Sequence, residues 1–178
     1  MGRLELICGP MFSGKTTALI DRLTTEHDAG LEIAAFKPSH DTRYSRDQVV
    51  SHNGLAIHAF SIGDLDALPR LVGSAVVIGI DEVHFFLPPH VPLCASLVNA
   101  GVRIIVAGVE LDHRGQPFEV VQEFAAVADQ VTRLTARCAR CGSAARHSQR
   151  LVGGDARIIV GGVGDYEPRC DRCFEPGR

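Results

Sequence analysis

Residues 3–17 of the chain are RLELICGPMFSGKTT, an apolar run followed by two glycines, a lysine and two threonines. Within this stretch, residues 9–16 fit the pattern G-x-x-x-x-G-K-[ST]. The next residues, 18–27, place Ala18, Leu19 and Leu23 at helical spacing. A strand before the pattern and a helix after it are the context that a phosphate-binding loop requires. The stretch therefore predicts a site for the phosphates of a nucleotide.

The residue types of this loop suit that role. Glycines let the backbone curl so that its N–H groups converge on phosphate oxygens, at the positive end of the following helix. Lys15 would add a charge beside the β- and γ-phosphates, and Thr16 offers its hydroxyl to Mg²⁺. The predicted phosphate site consists of Gly9, Pro10, Met11, Phe12, Ser13, Gly14, Lys15, Thr16 and Thr17.

Strand-like and helix-like segments alternate up to about residue 134. Predicted strands cover residues 3–8, 32–37, 75–80 and 102–109, and predicted helices cover 15–27, 61–68, 89–100 and 118–129. Ser61 and Asp64 resemble a capping box at the start of the second helix, and Asn53-Gly54 predicts a hairpin turn. This alternation predicts an α/β fold with a doubly wound, mainly parallel sheet, as in RecA-like P-loop NTPases.

Two acidic residues follow the buried strand predicted over residues 75–80. A phosphate loop needs a carboxylate that helps to hold magnesium, and such residues come at the end of a buried strand. Asp81 is the predicted carboxylate of the Mg²⁺ shell, which it would share with Thr16. Glu82 is predicted to lie beside the γ-phosphate as a base for the attacking hydroxyl or water.

After residue 134 the pattern changes to paired cysteines, glycines and arginines. This change predicts two domains, a nucleotide-binding domain over residues 1–134 and a smaller one over 135–178. Two C-x-x-C pairs, CARC at 138–141 and CDRC at 170–173, supply four thiolates in the tetrahedral set that Zn²⁺ prefers. Because four protein ligands leave no open position on the metal, the zinc would be structural. A redox role for one of the pairs is the alternative. The predicted zinc ligands are Cys138, Cys141, Cys170 and Cys173.

Composition excludes several classes of protein. The net charge is −3 over 178 residues, which is too mild for a general nucleic-acid or membrane surface. The sequence contains no apolar run of the roughly 18 residues that a spanning helix needs, and its start lacks the features of a secretory signal. We therefore expect a cytoplasmic protein that does not contact a membrane. In a reducing compartment, paired cysteines favour metal binding over disulfides.

Taken together, the motifs resemble those of the cellular and bacterial thymidine kinases that carry a zinc-bearing lasso domain. The resemblance covers almost the whole chain. It rests on the four cysteines and on five segments, namely GPMFSGKTT at 9–17, DTRYS at 41–45, IGIDEVHFF at 78–86, RGQPF at 114–118 and VGGVGDYEPRC at 160–170. The phosphate loop occurs in many unrelated NTPases, whereas this set in this order is specific.

The resemblance implies transfer of the γ-phosphate of ATP to the 5′-hydroxyl of thymidine, with Mg²⁺ as cofactor and Glu82 as catalytic base. It also implies that Arg43 binds phosphate and that the lasso closes over the base, anchored by the zinc site. The residues that match the thymidine site are Met11, Phe85, Val109, His113, Phe118, Ser148, Ile159, Gly161 and Tyr166. Relatives are usually homotetramers that thymidine triphosphate inhibits by feedback.

Three positions depart from the pattern of that family. His113 occupies a position where phenylalanine is usual, and its ring brings a donor or acceptor that leaves the strictness of thymine selection open. His84 replaces a common glutamine, and we assign it no role in proton transfer. Glu119 replaces a glycine and is expected at a helix start, where the dipole favours a carboxylate.

Three alternative functions remain at this stage. The chain could be a P-loop ATPase that hydrolyses without a second substrate, or a kinase of another deoxynucleoside. It could also carry a zinc-ribbon tail that binds nucleic acid through an acid-free arginine stretch, which contains Arg133, Arg137, Arg140, Arg146 and Arg150. That stretch lacks interleaved aromatic residues, so we expect a solvated basic face and no nucleic-acid partner. An assay with a panel of nucleosides would distinguish a thymidine kinase from a kinase of another deoxynucleoside.

Overall fold

The computed structural model describes residues 2–41, 47–51, 54–86, 91–154 and 156–177. Within these residues the strands are β1 (Arg3–Gly9), β2 (Ile33–Pro38), β3 (Gln48–Val50), β4 (Ala56–His58), β5 (Phe60–Ile62), β6 (Val77–Ile80), β7 (Arg103–Val109), β8 (Gln130–Arg133), β9 (Ala136–Arg137), β10 (Ala144–Ala145), β11 (His147–Arg150) and β12 (Tyr166–Arg169). The α-helices of this part of the chain are α1 (Lys15–Asp28), α2 (Leu68–Leu71), α3 (Val91–Asn99) and α4 (Glu119–Val127). Short 3₁₀ helices cover Leu65–Ala67 and Val83–Phe85.

The central sheet contains six of these strands in the order β5-β2-β6-β7-β1-β8. Every neighbouring pair in it is parallel. Parallel strands need crossover connections, and helices cover both faces of such a sheet. The predicted α/β fold with a doubly wound, mainly parallel sheet is therefore confirmed.

Alternation along β1 explains how one strand supports both layers. Leu4, Leu6 and Cys8 belong to the core cluster that also contains buried residues of α2, α3 and α4. Ile7 belongs to the opposite cluster, with buried leucines and an isoleucine of α1. Since side chains alternate between the faces of a strand, β1 lies between the two apolar layers.

Two predicted helices differ from the structure in detail, and two further predictions fall partly outside the described residues. Ser61 lies in β5, and the residue that caps the following 3₁₀ turn is Asp64, whose side chain accepts a hydrogen bond from the Asp66 backbone N at 2.9 Å. The helix predicted to Asp129 ends at Val127, because the chain then forms β8 beside β1. The start of the helix predicted over 89–100 and Asn53 of the predicted hairpin turn lie outside the described residues. The hairpin strands β3 and β4 themselves pair antiparallel as expected.

The chain after β8 forms two small antiparallel hairpins, β9–β10 and β11–β12. We call the connection between β11 and β12, residues 151–165, the lasso loop. No helix in the described ranges has the length and apolar character that would let it cross a membrane. The division of the chain at residue 134 stays a prediction.

Candidate active site

The phosphate loop lies between β1 and α1, at the carboxyl end of the sheet. In open α/β sheets this edge is where ligands bind. Gly14 has a left-handed backbone with φ of 85°, which lets the loop turn directly into α1 at Lys15. Phe12 also has a positive φ, 64°, which is uncommon for a residue with a bulky side chain. A strained conformation held within such a loop is typical of functional sites.

Two side chains of the loop are oriented by hydrogen bonds, one to the backbone of the loop and one to the residue that follows β6. Lys15 is buried, and its Nζ donates to the Pro10 carbonyl at 2.6 Å. The Thr16 hydroxyl donates to Asp81 Oδ2 at 3.0 Å. Asp81 directly follows β6, so the hydroxyl and the carboxylate predicted for Mg²⁺ come together from two elements. This oxygen pair suits Mg²⁺, which binds carboxylate and hydroxyl oxygens.

The acidic pair after β6 has a defined backbone geometry. Asp81 Oδ1 accepts a hydrogen bond from the Glu82 backbone N at 2.9 Å. Glu82 adopts a left-handed conformation with φ of 51°. Burial, and then the neighbouring Glu82 carboxylate, raise the pKa of Asp81 above its usual range, although the Thr16 hydrogen bond opposes this. A cation beside the pair would stabilise both carboxylates in their charged form.

His84 lies behind Glu82. Its Nδ1 is 3.5 Å from Glu82 Oε2 and accepts a hydrogen bond from the Val109 backbone N at 3.2 Å. Its ring is tilted against Phe85 at a centroid distance of 4.4 Å and against Phe118 at 5.1 Å. The ring therefore packs between two residues predicted to surround the base.

A cavity of about 340 Å³ extends from the phosphate loop to the lasso loop. It is lined by the acidic pair and by six residues of the predicted phosphate site, Met11, Phe12, Gly14, Lys15, Thr16 and Thr17. All nine residues predicted for thymidine also line it: Met11, Phe85, Val109, His113, Phe118, Ser148, Ile159, Gly161 and Tyr166. The structure thus brings the two predicted sets together in one cavity.

The remaining predicted residues lie behind the loop or outside the described part of the chain. Gly9, Pro10 and Ser13 are not among the lining residues, and the Ser13 hydroxyl donates to the Pro10 carbonyl at 2.8 Å. A Cβ added to Gly9 would come within 2.4 Å of the Leu134 carbonyl oxygen, so this position has a steric need for glycine. Arg43 lies outside the described residues.

His113 is 5% exposed and borders the cavity. Its ring lies close to the backbone of Arg157, while Nδ1 has no hydrogen-bond partner within the described residues. Burial, followed by the charge of Arg150, lowers the pKa of His113. A lowered pKa favours the neutral ring, which carries one donor nitrogen and one acceptor nitrogen.

The C-terminal hairpins contact the phosphate loop directly. The Met11 backbone N donates to Ser148 Oγ on β11 at 2.9 Å. Tyr166, at the start of β12, is buried, and its hydroxyl donates a hydrogen bond to the Ile159 carbonyl at 3.1 Å. One wall of the cavity therefore belongs to the part of the chain that follows residue 134.

The four cysteines after residue 134 form one cluster. Their sulfur atoms all lie within 4.8 Å of one another. A tetrahedral site with metal–sulfur bonds of about 2.3 Å has sulfur–sulfur edges of about 3.8 Å, so the set fits a metal ion. Although burial opposes it, backbone N–H groups of Cys170 and Cys141 lower the pKa of Cys138 to about 6. Hydrogen bonds with Cys141 and Cys170 raise the pKa of Cys173 to about 12.

Comparison with known proteins agrees with this arrangement. The family model described as thymidine kinase matches residues 2–174. The chain belongs to the thymidine kinase family. It is 46% identical to a thymidine kinase of a Rhodothermus species, over 100% of this chain and 84% of that protein. It is 45% identical to a thymidine kinase of a Roseiflexus species, over 99% and 97%, and 39% identical to one of Bacteroides thetaiotaomicron, over 97% and 87%.

The cavity is also lined by residues that sequence reasoning missed. Lys37 is 4% exposed, lies in β2 next to its last residue and lines the cavity. A lysine at the carboxyl end of a predicted parallel strand is a signal that could have identified it. Arg157 and Asp112 also line the cavity. Nothing in the local sequence marks these two, because their contact joins segments 45 residues apart.

The structure also accounts for part of the arginine stretch. Arg133 pairs with Glu110 at 3.1 Å and Arg140 with Glu175 at 2.9 Å. Arg150 is 2% exposed and donates to the carbonyls of Gly154 and Arg157. Three of the five arginines therefore have partners within the described part of the protein.

Proposed function

We propose that this member of the thymidine kinase family transfers the γ-phosphate of ATP to the 5′-hydroxyl of thymidine, giving thymidine monophosphate and ADP. One observation carries the proposal. A single cavity is bordered at one side by Lys15, Thr16 and Glu82, and elsewhere by aromatic residues including Phe85 and Tyr166. Such a cavity suits two substrates, one with phosphates and one with a flat ring.

The chemistry asks the protein mainly to position and neutralise charge. Backbone N–H groups of the loop and Lys15 would hold the phosphates, and Thr16 and Asp81 would hold Mg²⁺, which neutralises phosphate charge when bound. Glu82 would accept the proton of the 5′-hydroxyl as its oxygen forms a bond to the γ-phosphorus. The bond from that phosphorus to the bridging oxygen breaks, and ADP leaves.

We further propose that the cysteine cluster holds Zn²⁺. Four thiolates leave no open position on the metal, so the role would be structural. Cys138 directly follows β9 and Cys170 directly follows β12. A metal at this point would tie the two hairpins together and so anchor both roots of the lasso loop.

Other properties implied by the family are also proposals for this chain. These are phosphate binding by Arg43, a homotetrameric assembly, feedback inhibition by thymidine triphosphate and a cytoplasmic location.

A nucleoside panel tests the function. The purified protein, with ATP and Mg²⁺, should phosphorylate thymidine in preference to deoxycytidine, uridine and purine nucleosides, as measured by ADP release and by mass of the product. Lys15→Ala should abolish the reaction with all of them. Preference for another nucleoside would replace thymidine in the proposal, and ADP release independent of any nucleoside would favour an ATPase.

A further inference from the structure

The lasso loop supplies part of the wall of the nucleoside cavity. Its residues Ile158, Ile159, Gly161 and Gly162 line the cavity together with residues of the central sheet domain. The loop has no regular secondary structure in its described residues, apart from one isolated bridge between Val163 and Tyr166. Its position must therefore depend on side-chain contacts.

Arg157 makes contacts of this kind with the segment that joins β7 to α4. Its Nε donates to Asp112 Oδ2 at 2.8 Å, and its Nη1 donates to Glu119 Oε2 at 3.1 Å. Its Nη2 donates to the Pro117 carbonyl at 2.7 Å, and Cζ lies 5.0 Å from the centre of the Phe118 ring. One side chain thus bridges the lasso loop to a single segment of the sheet domain.

The backbone of residue 157 is held as well. Its carbonyl accepts a hydrogen bond from Arg150 Nη2 at 2.9 Å. Two residues later, the Ile159 carbonyl accepts a hydrogen bond from the Tyr166 hydroxyl. The stretch from 157 to 159 is therefore attached at both ends, and Ile159 lines the cavity.

The two carboxylates that face Arg157 differ in burial. The Asp112 side chain is 3% exposed and also accepts hydrogen bonds from the backbone N atoms of Arg114 and Gln116, both at 2.9 Å. The Glu119 side chain is 65% exposed, so solvent weakens its pairing. Asp112 is consequently the main anchor, and its turn keeps its own hydrogen bonds when Arg157 is removed.

We propose that Arg157 is a positioning residue for the nucleoside, because it holds the lasso loop in the place where Ile159 and Gly161 border the cavity. This inference rests on the proposed function, since it assumes that the nucleoside binds in this cavity. Among the described residues, Arg157 contacts none of those assigned to the phosphates. Its loss should therefore weaken nucleoside binding and leave ATP binding unchanged.

Kinetics of matched variants test the proposal. Arg157→Ala should raise the KM and the calorimetric Kd for thymidine about tenfold, because it removes a charge-assisted hydrogen bond to a buried carboxylate. The KM for ATP should stay unchanged. Arg157→Lys should recover part of the loss, because an ammonium reaches fewer of the partners than the guanidinium fork. Glu119→Gln should change the KM for thymidine about twofold or less. Arg140→Ala removes an arginine paired with Glu175 away from the cavity and should behave like the wild type.

Two results would overturn the proposal. One is an unchanged KM for thymidine in Arg157→Ala, and the other is an equal rise in the KM for ATP, which indicates general damage. Proteolysis by an enzyme that cleaves at aliphatic residues gives a readout that needs no kinase activity. Cleavage at Ile158, Ile159 and Val160 should be faster in Arg157→Ala than in the wild type and Arg140→Ala. If the wild type had no kinase activity but Arg157→Ala were still cleaved faster than the wild type, only the proposed function would be refuted. Equal cleavage rates in the wild type and Arg157→Ala would refute the proposal that Arg157 holds the lasso loop.

Discussion

Asp81 and Glu82 are adjacent, yet the backbone directs them to different partners. Asp81 directly follows β6 and accepts a hydrogen bond from the Thr16 hydroxyl, whereas Glu82 adopts a left-handed conformation directly before the 3₁₀ turn Val83–Phe85. A non-glycine residue in this conformation is costly unless its surroundings hold it. The strain supports the proposal that the Glu82 carboxylate has a catalytic role.

Glu82→Gln tests that role directly. The amide has nearly the same shape but cannot accept the proton of the 5′-hydroxyl, so kcat should fall by about 10²–10⁴-fold, the usual contribution of a general base. ATP affinity, measured by calorimetry, should survive because Lys15 and the loop backbone are unchanged.

Glu123→Gln is the matched control, since Glu123 lies on the exposed face of α4 and should retain full activity. A Glu82→Gln enzyme that turns over at the wild-type rate would remove Glu82 from the mechanism.

At the scale of elements, β1, β7 and α1 are connected through one buried carboxylate. The Glu5 side chain, on β1, is 1% exposed. It accepts hydrogen bonds from Arg22 of α1 at 2.8 Å and from Arg103 of β7 at 2.6 Å, and it also pairs with Arg3. Since α1 begins in the phosphate loop, this network helps to fix the orientation of the site as well as the sheet.

Glu5→Gln should lower the free energy of unfolding by about 3 kcal/mol at pH 7, because it leaves arginines without their buried partner. Burial alone would raise the pKa of Glu5, but hydrogen bonds from Arg103 and Arg3 outweigh it and hold the pKa below its usual 4.5. A lowered folded-state pKa gives stability that is fully present above pH 4.5 and is lost as pH falls through the lowered value. The difference between wild type and variant in urea unfolding should therefore persist at pH 5 and shrink in stronger acid.

Glu26→Gln provides a control for this network. Glu26 also pairs with Arg103, but its side chain is 24% exposed, so its removal should cost less than that of Glu5. Equal losses from the two variants, or a wild-type advantage that grows as pH falls below 4.5, would contradict the assigned role of Glu5.

At the scale of the whole molecule, the cavity has walls from both parts of the chain. The Met11–Ser148 hydrogen bond and the contacts of Arg157 connect the part of the chain that forms the central sheet to the part that follows residue 134. The order of the lasso loop should therefore depend on the metal as well as on side-chain contacts.

Metal analysis tests this dependence. The wild type should contain about one zinc per chain, the number expected for four thiolate ligands. Cys170→Ser should lose the metal and, with it, thymidine binding and protease resistance of residues 151–165, because metal binding contributes to folding of such small units.

Cys94→Ala is the control, since Cys94 is a fully buried residue of α3 outside the cluster and its variant should keep the metal. Intact, active protein without metal would refute the structural zinc.

Prediction from sequence succeeded where a feature depends on neighbouring residues. The strand, loop and helix around Lys15 were predicted because turn chemistry and apolar spacing are local signals, and the structure confirms β1 and α1. The strands β5 and β8 were missed because each is only three or four residues long and pairs with strands far away in the chain. Ser61 was assigned to a helix start because its local sequence is compatible both with a helix cap and with a short strand, and only its pairing with the distant β2 shows that it lies in β5.

The sequence by itself determined the parallel α/β architecture, the position of the phosphate loop, the acidic pair after β6 and the cysteine set, because residues close together along the chain encode each of these. Only the tertiary structure decided that one cavity unites Lys15 with Tyr166, that Glu5 is neutralised by Arg22 and Arg103, and that Arg157 bridges to Asp112. Such contacts depend on how distant segments pack, and a charged residue in a sequence carries no mark of the partner that folding will bring to it.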